Sequence, residues 1–525
     1  MGSLDLLIEG GFVIDGSGSP GFKGDVGISG DVVTIFRDAA PDIEVKNQLD
    51  ASGKIICPGF IDLHAHSGLV ILAEPEHESK VHQGVTTELI GVDGNSYAPF
   101  ENNSDLEMFI KLNSGLDGDP DIARKWRSVG EYLSQYDNRV AVNIAYIVGN
   151  SPLRIGAVGW ENRPPSSKEL ENMRALLRES LEEGAIGIST GLDYPPGSYA
   201  STDELVVLCS DVARMGGIYH THVRNHLGDR YLDPFREAIE IGRRSCAPVH
   251  LTHLVHRKNN PGGAMPILDL IEEARGQGLD VTFDDFPFQY GGTRALVVFP
   301  DWAHEGGPGK LTEVLQSEEG RERLRRVVEP QGKGWDDMRL THFKQPHNFQ
   351  YEGKSIAYVS EILGKHPVDT LCDLLLDEDL RTCYVADVVD EKVLDHVLRH
   401  PSFMAGSDAM LLGDYPPPSA YGAYPTILGK LVREQGKLTF GEAVNSMTFR
   451  PATRLGLKDR GLLKTGMKAD IVVFDPTTVN GKATRDNPRQ LSTGIDFVIV
   501  NGVVVIENGR HTGRLPGSLL KPRGM

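Results

Sequence analysis

Apolar positions in the middle of the chain fall into two alternating textures. Val140-Ala141-Val142-Asn143-Ile144-Ala145-Tyr146-Ile147-Val148 is almost continuously apolar, as a strand buried on both faces should be. From Ser167 to Gly184 the spacing changes: Leu170, Met173, Leu176, Leu177 and Leu181 share a helical face, and Ser167 is placed to cap it. The alternation predicts further strands at Gly84–Gly91, Gly187–Ser189, Gly217–His222, Pro248–His253, Asp280–Asp284 and Phe403–Asp408. Helices are predicted at Thr202–Met215, Pro234–Ser245 and Ile267–Gly276. Strand–helix units of roughly 30 residues predict an α/β fold, a (β/α)8 barrel with parallel strands. Residues 287–400 break the rhythm and are rich in turn formers such as Glu305-Gly306-Gly307-Pro308-Gly309, which marks a lid-like insertion.

The two ends carry a different pattern. Leu6-Leu7-Ile8, Phe12-Val13-Ile14, Val26-Gly27-Ile28 and Asp31-Val32-Val33-Thr34-Ile35 are short β-rich runs, with Gly10-Gly11 read as a turn. Ala469–Phe474 and Phe497–Val505 match them in texture, the second with an Asn501-Gly502 hairpin turn. Residues 1–57 and 460–525 are therefore expected to form one small β-sandwich domain. The barrel would span 58–459.

Composition narrows the partners. The chain has 525 residues, is 40% hydrophobic and 24% charged, and is therefore globular in composition. A formal net charge of -19 argues against nucleic acid or an anionic membrane as the main partner. No apolar run is long enough to span a bilayer, and the first residues lack both a signal peptide's basic region and, with Leu6 at the sixth position, a myristoylation signal. Five scattered cysteines without a CxxC pair read as reduced thiols in the cytoplasm. A small-molecule substrate is expected. Oligomeric state is not set by sequence, and a homo-oligomer stays open.

Candidate chemistry starts at Pro58-Gly59-Phe60-Ile61-Asp62-Leu63-His64-Ala65-His66. Side chains alternate along a strand, so His64 and His66 face the same way and can grip one divalent metal. Imidazole suits several transition metals, and zinc is the usual hydrolytic one. His222, His253 and Asp408 also sit at the ends of predicted strands, and a barrel gathers its chemistry at that face. His220 and His250 read as either supporting groups or barrel packing, and His226 and His256 as loop residues near a substrate.

Longer runs identify a resemblance. Gly187-Ile188-Ser189-Thr190-Gly191-Leu192-Asp193-Tyr194-Pro195-Pro196-Gly197-Ser198-Tyr199-Ala200, Thr221-His222-Val223-Arg224, Trp302-Ala303-His304-Glu305-Gly306-Gly307, Gly406-Ser407-Asp408 and Gly466–Pro476 resemble the D-aminoacylase (N-acyl-D-amino-acid deacylase) family of the amidohydrolase superfamily. The resemblance covers nearly the whole chain. It implies a metal-dependent amidohydrolase holding one or two zinc ions per subunit. His64 and His66 would hold one metal with Asp408, and His222 and His253 the other. Asp93 stands where the family usually places a Cys, and a carboxylate can bind or bridge zinc as a thiolate does. Asp408 would be the general base and acid, with water attacking an N-acyl amino acid or related small amide. Hydrolysis of a cyclic amide or lactone, a metal-dependent lyase or epimerase reaction, and a silent scaffold are the alternatives.

The chain departs from the family where the substrate's carboxylate is held. Tyr194, Arg224, Phe288 and Ser419 are the candidate substrate-binding residues. Phe286 and Phe288 replace two Tyr, Gly292 replaces a Ser, and Ser419 replaces an Arg suited to bidentate carboxylate binding. These losses predict a less acidic or more apolar substrate, or a carboxylate received elsewhere, with Arg224, Arg294 or Lys344 as the replacement cation.

Overall fold

The structure is a computed structural model that describes residues 3–224, 228–254, 263–328, 334–389 and 391–521. Its centre is a run of parallel strands connected by helices. Phe60–Asp62, Val85–Ile90 and Asn143–Tyr146 pair in that order, and Val148–Gly149, Gly187–Gly191, Ile218–His222, Val249–Leu251, Val281–Asp285 and Phe403–Ala405 form a six-stranded continuation. Every pairing among them is parallel. The predicted strand at 140–148 is thus split at Ile147, whose amide turns to the Ile90 carbonyl (3.0 Å). A parallel bridge between Ala65 and Ala409 brings the last of these strands back beside the first.

Helices cover the outside because each apolar stripe must be buried. Ser167–Glu183 buries Met173, Leu177 and Leu181. Its cap is Ser166, not Ser167: the Ser166 hydroxyl accepts from the Glu169 amide, and the Glu169 side chain reaches back, closing a capping box. One large apolar cluster runs through strands and helices alike.

The chain ends share a nine-stranded sheet in which Ile55–Pro58 pairs antiparallel with Ile471–Phe474. Asn501-Gly502 makes the expected tight turn between Ile495–Val500 and Val503–Glu507, both residues at positive φ (49° and 81°). Gly10-Gly11, expected as a turn, lies inside one strand, Leu6–Val13, with a bulge between Ile8 and Gly11. The glycine serves packing there: a Cβ on Gly11 would stand 2.4 Å from Ile56 Cδ1.

Residues 287–400 contain a three-stranded antiparallel sheet (Tyr290–Arg294, Cys383–Asp387, Arg339–Thr341) and several helices around a second apolar cluster. Among the described residues no helix is long and apolar enough to cross a membrane.

Candidate metal centre

The strands deliver their chemistry at the carboxyl ends. His64 and His66 follow the Phe60–Asp62 strand, Asp93 follows Val85–Ile90, and His222 ends Ile218–His222. His253 lies two residues past Val249–Leu251, and Asp408 three past Phe403–Ala405. Asp93, His253 and Asp408 all have positive φ (54°, 27° and 47°), a backbone conformation that non-glycine residues adopt at a cost and that concentrates at functional sites.

One oxygen organises the cluster. Asp93 Oδ2 lies 3.4 Å from His64 Nε2, 3.7 Å from His66 Nε2, 3.5 Å from His222 Nδ1 and 3.7 Å from His253 Nε2. Across from it, Asp408 Oδ1 lies 3.4 Å from His64 Nε2 and 3.3 Å from His66 Nε2. Among the described residues three donor sets are close enough to grip an ion: His64–His66–Asp408 and His64–Asp93–His253, which share His64, and the fully buried His220–His250–Asp284.

The outer nitrogens are held by groups the sequence did not point to. Asp117 Oδ1 takes His66 Nδ1 (2.9 Å), and its other oxygen accepts the Tyr97 hydroxyl (2.6 Å). Asp284 Oδ1 faces His64 Nδ1 (3.3 Å) and accepts the His253 amide (2.6 Å), while Oδ2 holds His250 Nε2 (3.0 Å). Asp193 faces His222 Nε2 at 3.2 Å. Such contacts fix which ring nitrogen points inward. His220 and His250 stack with ring centroids 4.9 Å apart, and His250 bonds the Asp284 that also faces His64. Strand alternation could have flagged Asp284, which lies one residue before the end of Val281–Asp285 on the same face as Thr282. Nothing in the local pattern marks Asp117, which reaches His66 from a loop.

The donor set fits a divalent metal. His64 Nε2 is buried with no hydrogen-bond partner among the described residues, and a buried polar atom without a partner is costly. Burial opposes charge on Asp93, but His64, His222 and His253 outweigh it and hold its carboxyl well below the usual range. Burial likewise opposes a proton on His66 and on His222. Asp117 and Asp408 overcome it for His66, Asp193 and Asp93 for His222, and each is pushed up to about 9. Without a cation in the centre, protons take its place.

The candidate substrate residues occupy different surroundings. The Tyr194 ring packs on His222 with centroids 4.8 Å apart. Arg224 is committed elsewhere: it bonds Glu237 (2.9 Å), the Ser198 carbonyl (2.7 Å) and the Ala200 carbonyl. Phe288 faces Gly422, and Ser419 is fully buried with an unpartnered hydroxyl. Lys344 lies within residues 287–400, its amide donating to Glu378 (2.6 Å). Arg294 is 1% exposed, stands over the Tyr194 ring at 4.1 Å, and its Nε and Nη1 have no hydrogen-bond partner among the described residues. His226 and His256 lie outside the described residues.

Known proteins share this arrangement of chain. The profile described as Amidohydrolase family matches residues 352–506. The N-acyl-D-glutamate deacylase of Alcaligenes xylosoxydans xylosoxydans is 34% identical over 99% of this chain and 96% of its own. A solved N-acyl-D-glutamate deacylase from Bordetella bronchiseptica, complexed with zinc and a phosphonate mimic of the tetrahedral intermediate, superposes with a TM-score of 0.84 at 29% identity, covering 99% of this chain and 100% of that one. A D-aminoacylase studied for its binuclear metal centre gives 0.82 at 30%, with the same coverage. The mixed α/β fold and the whole-chain identity agree: the chain belongs to the D-aminoacylase (N-acyl-D-amino-acid deacylase) family of the amidohydrolase superfamily.

Proposed function

We propose that this chain is a metal-dependent hydrolase that removes the acyl group from an N-acyl amino acid. The observation that carries the reading is the Asp93 oxygen facing four imidazoles, with Asp408 across from two of them. His64, His66, Asp93, His222, His253 and Asp408 would hold zinc, one or two ions per subunit. Zinc in the Bordetella enzyme and the binuclear centre of the D-aminoacylase support that assignment.

When bound, zinc supplies Lewis acidity toward a water and the amide carbonyl. Asp408 accepts the water's proton and passes it to the leaving nitrogen. A C–O bond forms, the C–N bond breaks, and a carboxylate and an amine leave. In the metal-free protein burial resists the charge on Asp408, yet His64 and its neighbours keep the carboxyl below its usual range, so it is ionised there. Asp408→Asn is expected to keep most of the metal and to lose about 10²–10⁴-fold in kcat. Near-wild-type turnover would reject the base assignment.

Arg294 identifies the kind of substrate. A buried guanidinium without an acidic partner is strongly unfavourable unless a ligand supplies the anion. Ser419 stands where the resemblance implies an Arg, and the neighbourhood is apolar, with Pro417 packed by Gly292 and Phe288 by Gly422. Arg294, on the Tyr194 side, would receive a substrate carboxylate, which favours the second of the two expectations, a carboxylate held elsewhere, over a less acidic substrate. N-acyl-D-amino acids should be turned over in preference to the matching carboxamides. Arg294→Met should raise KM for the acids about 10²-fold and erase that preference. Equal use of acid and carboxamide by the wild type would overturn this assignment.

The finer architecture belongs to the same reading. The parallel strand order and the Ala65–Ala409 bridge support a (β/α)8 barrel over 58–459, with 287–400 as its lid-like insertion. The shared terminal sheet supports a small β-sandwich domain from 1–57 and 460–525. Free cysteines suit a cytoplasmic setting.

A further inference from the structure

The first and last strands of the parallel run meet through few backbone contacts. Besides the Ala65–Ala409 bridge, Asp408 N donates to His64 O (3.0 Å) and His66 N to Ala409 O (3.2 Å). Three metal-ligand candidates sit on this junction, so its geometry sets theirs. A buried polar group lies directly behind it. Asp62 Oδ1 accepts the amides of His64 (3.1 Å) and Ser407 (3.0 Å), one from each side of the junction. Asp62 Oδ2 accepts the Ser407 hydroxyl (2.6 Å). Lys80, from the short helix Glu78–Val81, donates to both Asp62 Oδ2 and Ser407 Oγ (2.6 Å). Its ammonium also lies 3.2 Å from Glu88 Oε1, and Glu88 in turn holds Ser67 (2.6 Å) and His77 (3.0 Å). Asp62, Lys80, Glu88 and Ser407 are all fully buried.

We propose that Lys80 is a positioning residue for the metal centre, its ammonium locking Asp62 and Ser407 so that His64, His66 and Asp408 converge. A fold needs no buried cation here for stability alone, since apolar replacements of a buried ion pair are often neutral or better. What a cation gives at this place is direction. It presents fixed donors to two acceptors on opposite sides of the junction, which an apolar side chain cannot do. Asp408 is one bond beyond Ser407 in a left-handed backbone conformation, so the clamp bears directly on the angle at which its carboxylate enters the site.

The test uses Ser407→Ala, which keeps the buried charges paired and removes only the hydroxyl link, alongside Lys80→Met and Lys80→Arg in the full-length protein. Zinc per subunit, the visible spectrum of the cobalt(II)-substituted protein, kcat, KM and Tm are measured for each. Ser407→Ala should lower Tm only slightly, since Asp62 and Glu88 still pair with the Lys80 ammonium, lose at least tenfold in kcat with KM within about twofold, and shift the cobalt spectrum. Lys80→Met should show the same changes more strongly, partly restored in Lys80→Arg. A wild-type kcat and cobalt spectrum in Ser407→Ala would overturn the proposal, and so would a Lys80→Met variant that loses only Tm. The proposal rests on the metal-hydrolase reading. A wild-type protein inactive on every N-acyl amino acid would defeat that reading while the cobalt spectra still judged the clamp.

Discussion

At the scale of residues, the imidazoles of His64, His66 and His222 are held on their outer nitrogens by Asp284, Asp117 and Asp193, and their inner nitrogens are turned toward Asp93 or Asp408. This arrangement has a consequence for the metal-free protein. His66 and His222 are pushed up to about 9, from an ordinary 6.5. A group whose folded pKa exceeds its unfolded one contributes stability that is full below the unfolded value and is lost as pH rises through the folded value. The metal-free protein should therefore lose Tm between about pH 6.5 and about pH 9. Zinc needs neutral imidazoles and takes the place of those protons. The zinc-loaded protein should hold its Tm across the same window, and zinc binding at neutral pH should release protons. Calorimetry on both forms checks this, and identical pH profiles would refute it. Five of the six candidate ligands were legible because His64, His66, His222, His253 and Asp408 each lie at or near a predicted strand end, and parallel strands present those ends together; Asp93 was named only through the family resemblance, at the position of its Cys. Arg294 was one of three cations named for a substrate carboxylate, whereas Asp117, Asp193, Asp284 and Lys80 were missed as partners. Their roles come from tertiary contact across tens to hundreds of residues, which no local spacing encodes.

At the scale of elements, strands and helices were legible to within a few residues because their apolar periods are strong. Most errors lie at boundaries, apart from Gly10-Gly11, which sits inside one bulged strand, and the strand split at Ile147. Ser166 and Ser167 are both plausible caps by residue type, and only the Glu169 side chain reaching back decides for Ser166. The insertion was seen only as a break in rhythm, because its antiparallel sheet pairs segments far apart in sequence. In the structure it is clipped to the loop after Asp408. Glu352 Oε1 accepts from Thr341 Oγ1 (2.7 Å), His342 N (3.0 Å) and Asp414 N (2.8 Å), and Tyr415 N donates to Thr341 Oγ1 (3.1 Å). Gly413 makes the approach possible. It has φ 70°, and a Cβ there would stand 2.1 Å from Thr341 Oγ1 and 2.5 Å from His342 N. Gly413→Ala should cost about 1–3 kcal/mol and lower kcat as the loop is displaced. Thermal unfolding together with kinetics checks it; unchanged values in both would show that the clip does not constrain the Asp408 loop.

At the scale of the molecule, the terminal sheet and the metal centre are mechanically one object. Ile55–Pro58 pairs with Ile471–Phe474, Gly59 N donates to Asp470 O (2.8 Å), and the chain then enters Phe60–Asp62 and His64. The C-terminal segment also caps the opposite end of the parallel strands: Ile144 N donates to Ser518 O (3.0 Å) and Leu520 N to Ile144 O (2.8 Å). Asn143 Oδ1 accepts from Asn501 (2.7 Å) and Ser518 (3.1 Å). Removing 460–525 would therefore expose a strand edge beside the first metal-bearing strand and leave buried amides without acceptors. A chain ending at residue 459 is expected to lose cooperative unfolding and zinc binding together, although no ligand candidate lies in the deleted part. The measurement is zinc content and the sharpness of thermal unfolding, set against the full chain. If the shortened protein kept full zinc occupancy and a sharp transition, the barrel would be self-sufficient and the shared sheet would be an attachment. If both are lost, the β ends hold the first strand, and with it His64 and His66, in register with Asp408.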